Sequence, residues 1–143
     1  MTRMQLQERI HKAILTAAFV LQLHAAVMED RVVTAGYYDA TVIVSNKLSS
    51  EMAVIVHCRS KQHDLGARAV GAGASYSFTF GKNLFGGTLF WCRAAFQDRR
   101  LAFLAFKQDD EGNVYVIDFE VSDDGVDRVN GEERVHITGW NRK

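Results

Sequence analysis

Residues 52–96 read MAVIVHCRSKQHDLGARAVGAGASYSFTFGKNLFGGTLFWCRAAF and hold both cysteines of the chain, Cys58 and Cys92, one near each end. The pattern is strand, polar turn, short strand, glycine turn, aromatic strand, glycine turn, long strand. In residues 52–58 and 88–96 both alternating faces are largely apolar, as a strand covered on two sides requires, so these segments are expected to be inner strands. Between them, Tyr76, Phe78 and Phe80 fall on one face and Ser75, Ser77 and Thr79 on the other, which predicts a half-exposed strand. If Cys58 and Cys92 face each other across the core, one bridge closes a loop of about 35 residues and removes roughly 3 to 4 kcal/mol of unfolded-state entropy.

Outside this stretch, strand signals recur at residues 41–45, 101–106, 114–119 and 134–138, with a rhythm of about 8 to 12 residues typical of all-β sandwiches and barrels. A chain of 143 residues with 48% hydrophobic residues is enough for one sizeable core and too short for two ordinary domains. The 17 basic and 17 acidic residues balance, which gives no sign of a polyanion-binding surface and argues against nucleic acid as a partner. With no proline present, glycine carries the turn signals. Gly71, Gly73, Gly86 and Gly87 precede aromatic strands and not a helix, so they read as turns and not as a phosphate cradle.

At the N-terminus Arg3, Arg9 and Lys12 stand against a single acid, Glu8, and an apolar run, AILTAAFVLQLHAAV, follows over residues 13–27. This run is shorter than the about 20 residues a membrane-spanning helix needs, but it fits a secretory apolar region of about 7 to 15. Residues 1–26 are therefore expected to be a helical signal peptide, with Ala25 and Ala26 at its cleavage point, and residues 27–143 the mature domain. Residues 27–40 read as a short arm ahead of the first strand.

The two cysteines admit a structural bridge, two buried thiols, or a metal pair with His57; an even count in a secreted chain favours the bridge. Next to each other on a strand, His57 and Cys58 point to opposite faces, which argues against a catalytic Cys–His pair. His63 and Asp64 are too few for a metal site, and the acidic runs at 109–111 and 123–125 lack the alternating oxygen ligands of a calcium loop. No paired carboxylates and no nucleophile with a base stand out. The reading is therefore a non-enzyme, with no catalytic residue, cofactor, metal or small-molecule substrate.

Several motifs recur in order: Val44-Ser45-Asn46-x-Leu48; Val56-His57-Cys58-Arg59-Ser60-Lys61 with Asp64-Leu65-Gly66 close behind; Tyr76-x-Phe78-x-Phe80; and Phe85-Gly86-Gly87-Thr88-Leu89-Phe90-Trp91-Cys92. In this order they resemble the plant self-incompatibility protein family, the S-protein homologues, over about half the chain. The resemblance implies a small secreted protein with an antiparallel β-sandwich, here of seven to eight short strands, and a single disulfide, Cys58 to Cys92. The family usually carries further cysteines toward the C-terminus. Ile117 and Phe119 stand at those positions, so packing with Val121 is expected to replace a second bridge.

The function implied by this resemblance is that of a monomeric extracellular ligand in cell-to-cell recognition, with a cell-surface membrane protein receptor as partner. The alternative is a secreted defence or effector protein acting on membranes or host cells. In either case the connecting loops are the expected working surface. The candidate recognition residues are Asn46 and Lys47; Lys61, His63 and Asp64; Lys82 and Asn83; Gln97, Asp98, Arg99 and Arg100; and Asp109 and Asp110. Among the aromatic residues, Trp91 is the one expected to be partly exposed, since it lies on the opposite face from Phe90 and Cys92.

Overall fold

A computed structural model of the chain describes residues 2–9, 27–32, 36–83, 87–108 and 116–142. Within them, apolar side chains at every second position turn two layers of strands toward a shared interior. One layer is a six-stranded sheet containing β1 (Val27–Val32), β2 (Gly36–Asn46), β5 (Ser75–Asn83), β8 (Val116–Ser122), β9 (Gly125–Asn130) and β10 (Glu133–Thr138), in the order β1-β5-β2-β8-β9-β10. The other contains β3 (Val54–Arg59), β4 (Asp64–Val70), β6 (Leu89–Phe96), β7 (Arg99–Lys107) and β11 (Asn141–Arg142), in the order β11-β7-β6-β3-β4. The expected all-β sandwich is present, with more strands than the seven to eight expected. β1, β9 and β11 are additions; the supposed arm at 27–40 supplies β1 and the first half of β2. The six-stranded sheet is mixed, because β1 pairs with β5, and β2 with β8, in parallel, whereas the five-stranded sheet is wholly antiparallel.

The core is aromatic at its centre. Phe80 packs against Phe90 and Phe106, with centroids 4.5 and 4.9 Å apart, and Phe78 lies 5.2 Å from Phe90. These contacts join β5 of one sheet to β6 and β7 of the other. Phe103 meets Phe119 at 4.8 Å, and Ile117, Phe119 and Val121 are all buried, so the apolar replacements on β8 pack into the core as expected. The hydroxyl face of β5 is more covered than a half-exposed strand would be. Ser77 is buried, Ser75 bonds Ser45 at 2.8 Å and Thr79 bonds Thr41 at 2.9 Å.

Cys58 and Cys92 form the disulfide, but as direct partners on adjacent strands β3 and β6, with Cα atoms 4.0 Å apart. The bridge therefore lies within one sheet and does not cross from sheet to sheet. Its physical role is to lock the register of the two central strands of the five-stranded layer. A second tie does link the layers at their edges. Asp30 Oδ2 on β1 accepts from Arg68 Nε and Nη2 on β4, at 3.0 and 2.9 Å, and from the Tyr76 hydroxyl on β5 at 2.8 Å. Burial, followed by the Asp30 carboxylate, holds the Tyr76 pKa above its usual 10.0, so the hydroxyl remains a donor.

Gly125 opens β9 with φ of 132°, and a Cβ there would lie 2.1 Å from the backbone oxygen of Thr138. It would also lie 2.7 Å from Gly139 Cα, and both are backbone atoms, with no side chain that could move aside. Gly125→Ala is expected to cost about 2 kcal/mol through overpacking and backbone strain, measured by urea unfolding. Gly131→Ala, with a positive φ but open space around it, should cost less. At the N-terminus residues 3–9 are helical and exposed, and the helix is opened by a capping box. Gln5 N donates to Thr2 Oγ1 at 3.3 Å, and Thr2 N donates to Gln5 Oε1 at 3.1 Å. Most of the expected signal peptide, residues 10–26, lies outside the described residues.

Candidate recognition surface

Strand direction sorts the loops into two opposite ends. Residues 47–53, 71–74, 97–98, 123–124 and 139–140 collect at one end, while 60–63 and 131–132 lie at the other. A strand of seven or eight residues separates the ends by about 25 Å, so the candidate loops do not form one surface.

At the first end Asn46 is the organiser. Its Nδ2 donates to Met52 O and Val70 O at 2.9 and 3.0 Å, and its Oδ1 accepts from Leu48 N at 3.0 Å. Its backbone N–H bonds Ala74 O at 2.9 Å and its carbonyl accepts from Gly73 N at 3.1 Å. One side chain thus ties the end of β2 to the 47–53 loop and to β4 of the facing sheet. Ser49 N reaches Asp123 Oδ1 at 3.2 Å, and Trp140 Nε1 donates to Ser122 O at 2.8 Å while its ring packs edge-on to Phe96. The loops of this end are held to one another before any partner arrives. Lys47, Ser49, Ser50, Glu51, Gln97, Asp98 and Asp124 point to solvent there.

Several expected recognition residues need correction. Asn46 is only 1% exposed and all its polar groups are used internally, so it builds the surface without being part of it. Lys82 is 6% exposed, because β5 runs on past Phe80 and residue 82 falls in the inward row of Tyr76, Phe78 and Phe80. Asn83 ends the same strand and pairs with Gly36 through the backbone. Asp64 is the first residue of β4 and not a loop residue, with its Oδ1 taken by His57 Nε2 and Gly66 N. Lys61 is exposed and His63 half-buried in the turn that Ser60 Oγ caps. Asp109 and Asp110 lie outside the described residues.

The turn between β6 and β7 has its arginines partly occupied. Arg100 Nη1 donates to Gln97 O and Arg99 O at 2.8 and 2.9 Å, and Arg99 lies over the Phe96 ring at 5.2 Å. Gln97 holds φ of 51°, in the left-handed region, at the tip of this two-residue connection. Among the described residues no cluster of three or more His, Cys, Asp or Glu could hold a metal ion.

The five-stranded layer has an open outer side. Trp91 is half-exposed there, as expected, beneath Arg59, 5.1 Å from the ring centroid; the exposure of Ile55, 42%, and Leu104, 46%, was not expected. The apolar outer positions of β3 and β6, read as a sign of double coverage, lack a covering layer among the described residues. The available signal was the pair of triplets His57-Cys58-Arg59 and Trp91-Cys92-Arg93, whose flanking residues must face outward once both cysteines face in.

The fold agrees with what is found by comparison. The sequence pattern described as plant self-incompatibility protein S1 matches residues 41–140, which takes in both cysteines, Asn46 and the strands from β3 to β10. The chain belongs to the plant self-incompatibility protein S1 family. S-protein homolog 2 of Arabidopsis thaliana is 37% identical over 67 residues, 47% of this chain and 42% of that protein. S-protein homolog 5 of the same plant is 32% identical over 94 residues, 65% of this chain and 73% of that protein. The match therefore spans less than half of the first relative and about three quarters of the second. A solved structure of self-incompatibility protein homologues, described as a widespread family of small, highly stable, secreted proteins from plants, superposes with a TM-score of 0.60 at 15% identity. It covers 77% of this chain and 100% of its own. This family of S-protein homologues is secreted, and the present chain carries its fold.

Three carboxylates are expected to make the stability of this S-protein homologue pH-dependent. His136 and Arg134 hold Asp127 below the usual 3.8, His57 and the Gly66 N–H do the same for Asp64, and Ser49 does so for Asp123. A lowered carboxyl binds its proton more weakly in the folded chain. Its contribution is complete above the unfolded value of 3.8 and is lost as the pH falls through the folded one. The melting temperature is expected to be flat from about pH 7 to about pH 5 and to fall below about pH 4. Asp127→Asn should remove part of that fall. Calorimetry across the range checks both; a transition unmoved by acid would contradict the assignment.

Proposed function

We propose that this S-protein homologue is an extracellular protein ligand, recognised by a membrane protein at a cell surface through the end of the sandwich that carries residues 47–53, 97–98 and 123–124. The observation that supports this reading is the Asn46 bracket. By ordering the loop end in advance it lowers the entropy cost of binding, as a recognition surface of modest area requires. Exposed Lys47, Glu51, Gln97 and Asp98 supply a polar rim of mixed charge that can discriminate between partners. Recognition, and not catalysis, is the activity for which these residues are arranged.

The test uses labelled mature protein on intact plant cells and on protein-free liposomes. Saturable binding to cells, displaced by unlabelled protein, with no leakage from liposomes, is the expected result. Leakage without a saturable site would instead favour an effector that acts on the membrane itself. The same reading assigns residues 1–26 as a leader. β1 starts at Val27, so removal of those residues would leave every strand among the described residues in place. Intact mass of the secreted protein should begin near Ala26 or Val27 and rise by two protons on reduction; a full-length secreted chain would contradict the leader.

A further inference from the structure

The chain has no net charge, yet its two outer faces differ. On the outer side of the six-stranded sheet lie Glu29, Asp39, Asp118, Glu120 and Asp127 against Arg134 and His136, with Arg31 at an outward register position of β1. On the outer side of the five-stranded sheet lie Arg59, Arg93 and Arg100 against Asp64 at its edge. Balance in composition has concealed separation in space.

The basic face has a defined centre. Because Cys58 pairs with Cys92, antiparallel register sets Arg59 opposite Trp91 and His57 opposite Arg93. These four residues form a square that lines a shallow cleft, with the two guanidiniums on one diagonal and the indole and imidazole on the other. Cross-strand neighbours in such an array stand about 5 Å apart, neighbours along a strand about 6.5 Å and diagonals about 7 to 8 Å. Among the described residues no carboxylate forms a close ion pair with Arg59 or Arg93; Asp64 stands opposite Arg59 on β4 and feels its charge, but its Oδ1 is bonded to His57. Around the square lie Ile55, Leu104 and the small residues Ala67, Ala95 and Ala102, which leave the face flat.

We infer that this face, centred on Trp91 between Arg59 and Arg93, docks an acidic segment of a protein partner. A guanidinium takes a carboxylate in two parallel hydrogen bonds, and among the described residues neither Arg59 nor Arg93 makes an ion pair of that kind. Tryptophan and arginine at the centre of an apolar patch are the residue types that carry most of the energy in protein interfaces. Across four strands and three outward rows the face measures roughly 15 by 13 Å, the reach of a short extended segment. A second copy of this chain is a poorer complement, since Glu120 and Asp127 on its acidic face are already paired with Arg134 and His136. This surface is distinct from the loop end proposed above and stands or falls separately.

The test is a titration of the full mature protein with a random copolymer of glutamate and tyrosine, beside polygalacturonate and phosphatidylserine vesicles. The copolymer should bind, more weakly as salt rises. Arg59→Glu and Arg93→Glu should each weaken it about tenfold, and Trp91→Ala about fivefold. Melting temperatures show whether each variant is folded, and Arg93→Gln replaces any that is not. Charge reversal at the loop end, Lys47→Glu, should leave copolymer binding unchanged. Copolymer binding indifferent to Arg59 and Arg93 would overturn the inference. Polygalacturonate or vesicles bound at least as tightly through the same residues would overturn the assignment to a protein segment.

Discussion

Replacing both bridge cysteines, Cys58→Ala with Cys92→Ala, should lower the unfolding free energy by about 3 to 4 kcal/mol and the melting temperature by roughly 12 to 15 °C. The two residues are 34 apart in sequence and both are fully buried, so the bridge constrains a long loop of the unfolded chain at no solvent-facing site. The folded chain should nevertheless keep its two layers, because the sheets meet through Phe78, Phe80, Phe90 and Phe106 and not through sulfur. Urea unfolding with and without reductant measures the loss, and retained near-ultraviolet dichroism at 25 °C, about the usual reference temperature, reports the surviving core. A loss below about 1 kcal/mol would show that the unfolded chain is already held compact.

Asn46→Ala should cost about 3 kcal/mol, more than any surface change nearby. The substitution leaves Met52 O, Val70 O and Leu48 N without their partner at a position closed to water. Its effect should also be local. Hydrogen exchange at Leu48 and Ser49 is expected to accelerate while that of the central strands changes only with global stability. Ser49→Ala, which keeps the backbone bond from Ser49 N to Asp123, is the control and should stay within about 0.5 kcal/mol. Equal stability of Asn46→Ala and the native chain would remove the basis for a pre-ordered loop end.

Much of the fold was legible because its period is simple. Alternation across residues 75–80 announces a strand, and the apolar runs around Cys58 and Cys92 mark the central strands of their sheet. Pairing was harder to read. The parallel partnership of β2 with β8 joins residues more than seventy positions apart, and no local signal specifies it. The strand expected at 134–138 is present as β10, whereas its partner β9 was not legible because Asp127 and Arg128 are charged; in the fold, Arg134 and Asp127 pair across the outer face instead of facing water alone.

The site was less legible than the fold, for two physical reasons. Polar residues near a strand end look alike in sequence whether they face outward, as Lys47 does, or inward, as Asn46 and Lys82 do; only the register decides. Apolar residues on both faces of β3 and β6 were read as coverage, but an open face with Ile55, Trp91 and Leu104 gives the same pattern. The triplets around the two cysteines held that information once their pairing was known.

The central claim is that one pre-ordered loop end of a secreted sandwich is what a cell-surface protein recognises. Competition binding of the mature protein to intact cells tests it most directly, using Lys47→Glu with Asp98→Lys at that end and Lys61→Glu at the opposite end. Displacement should weaken about tenfold or more for the first variant and remain native for the second. Native displacement by the loop-end variant, with the protein folded, would contradict the claim.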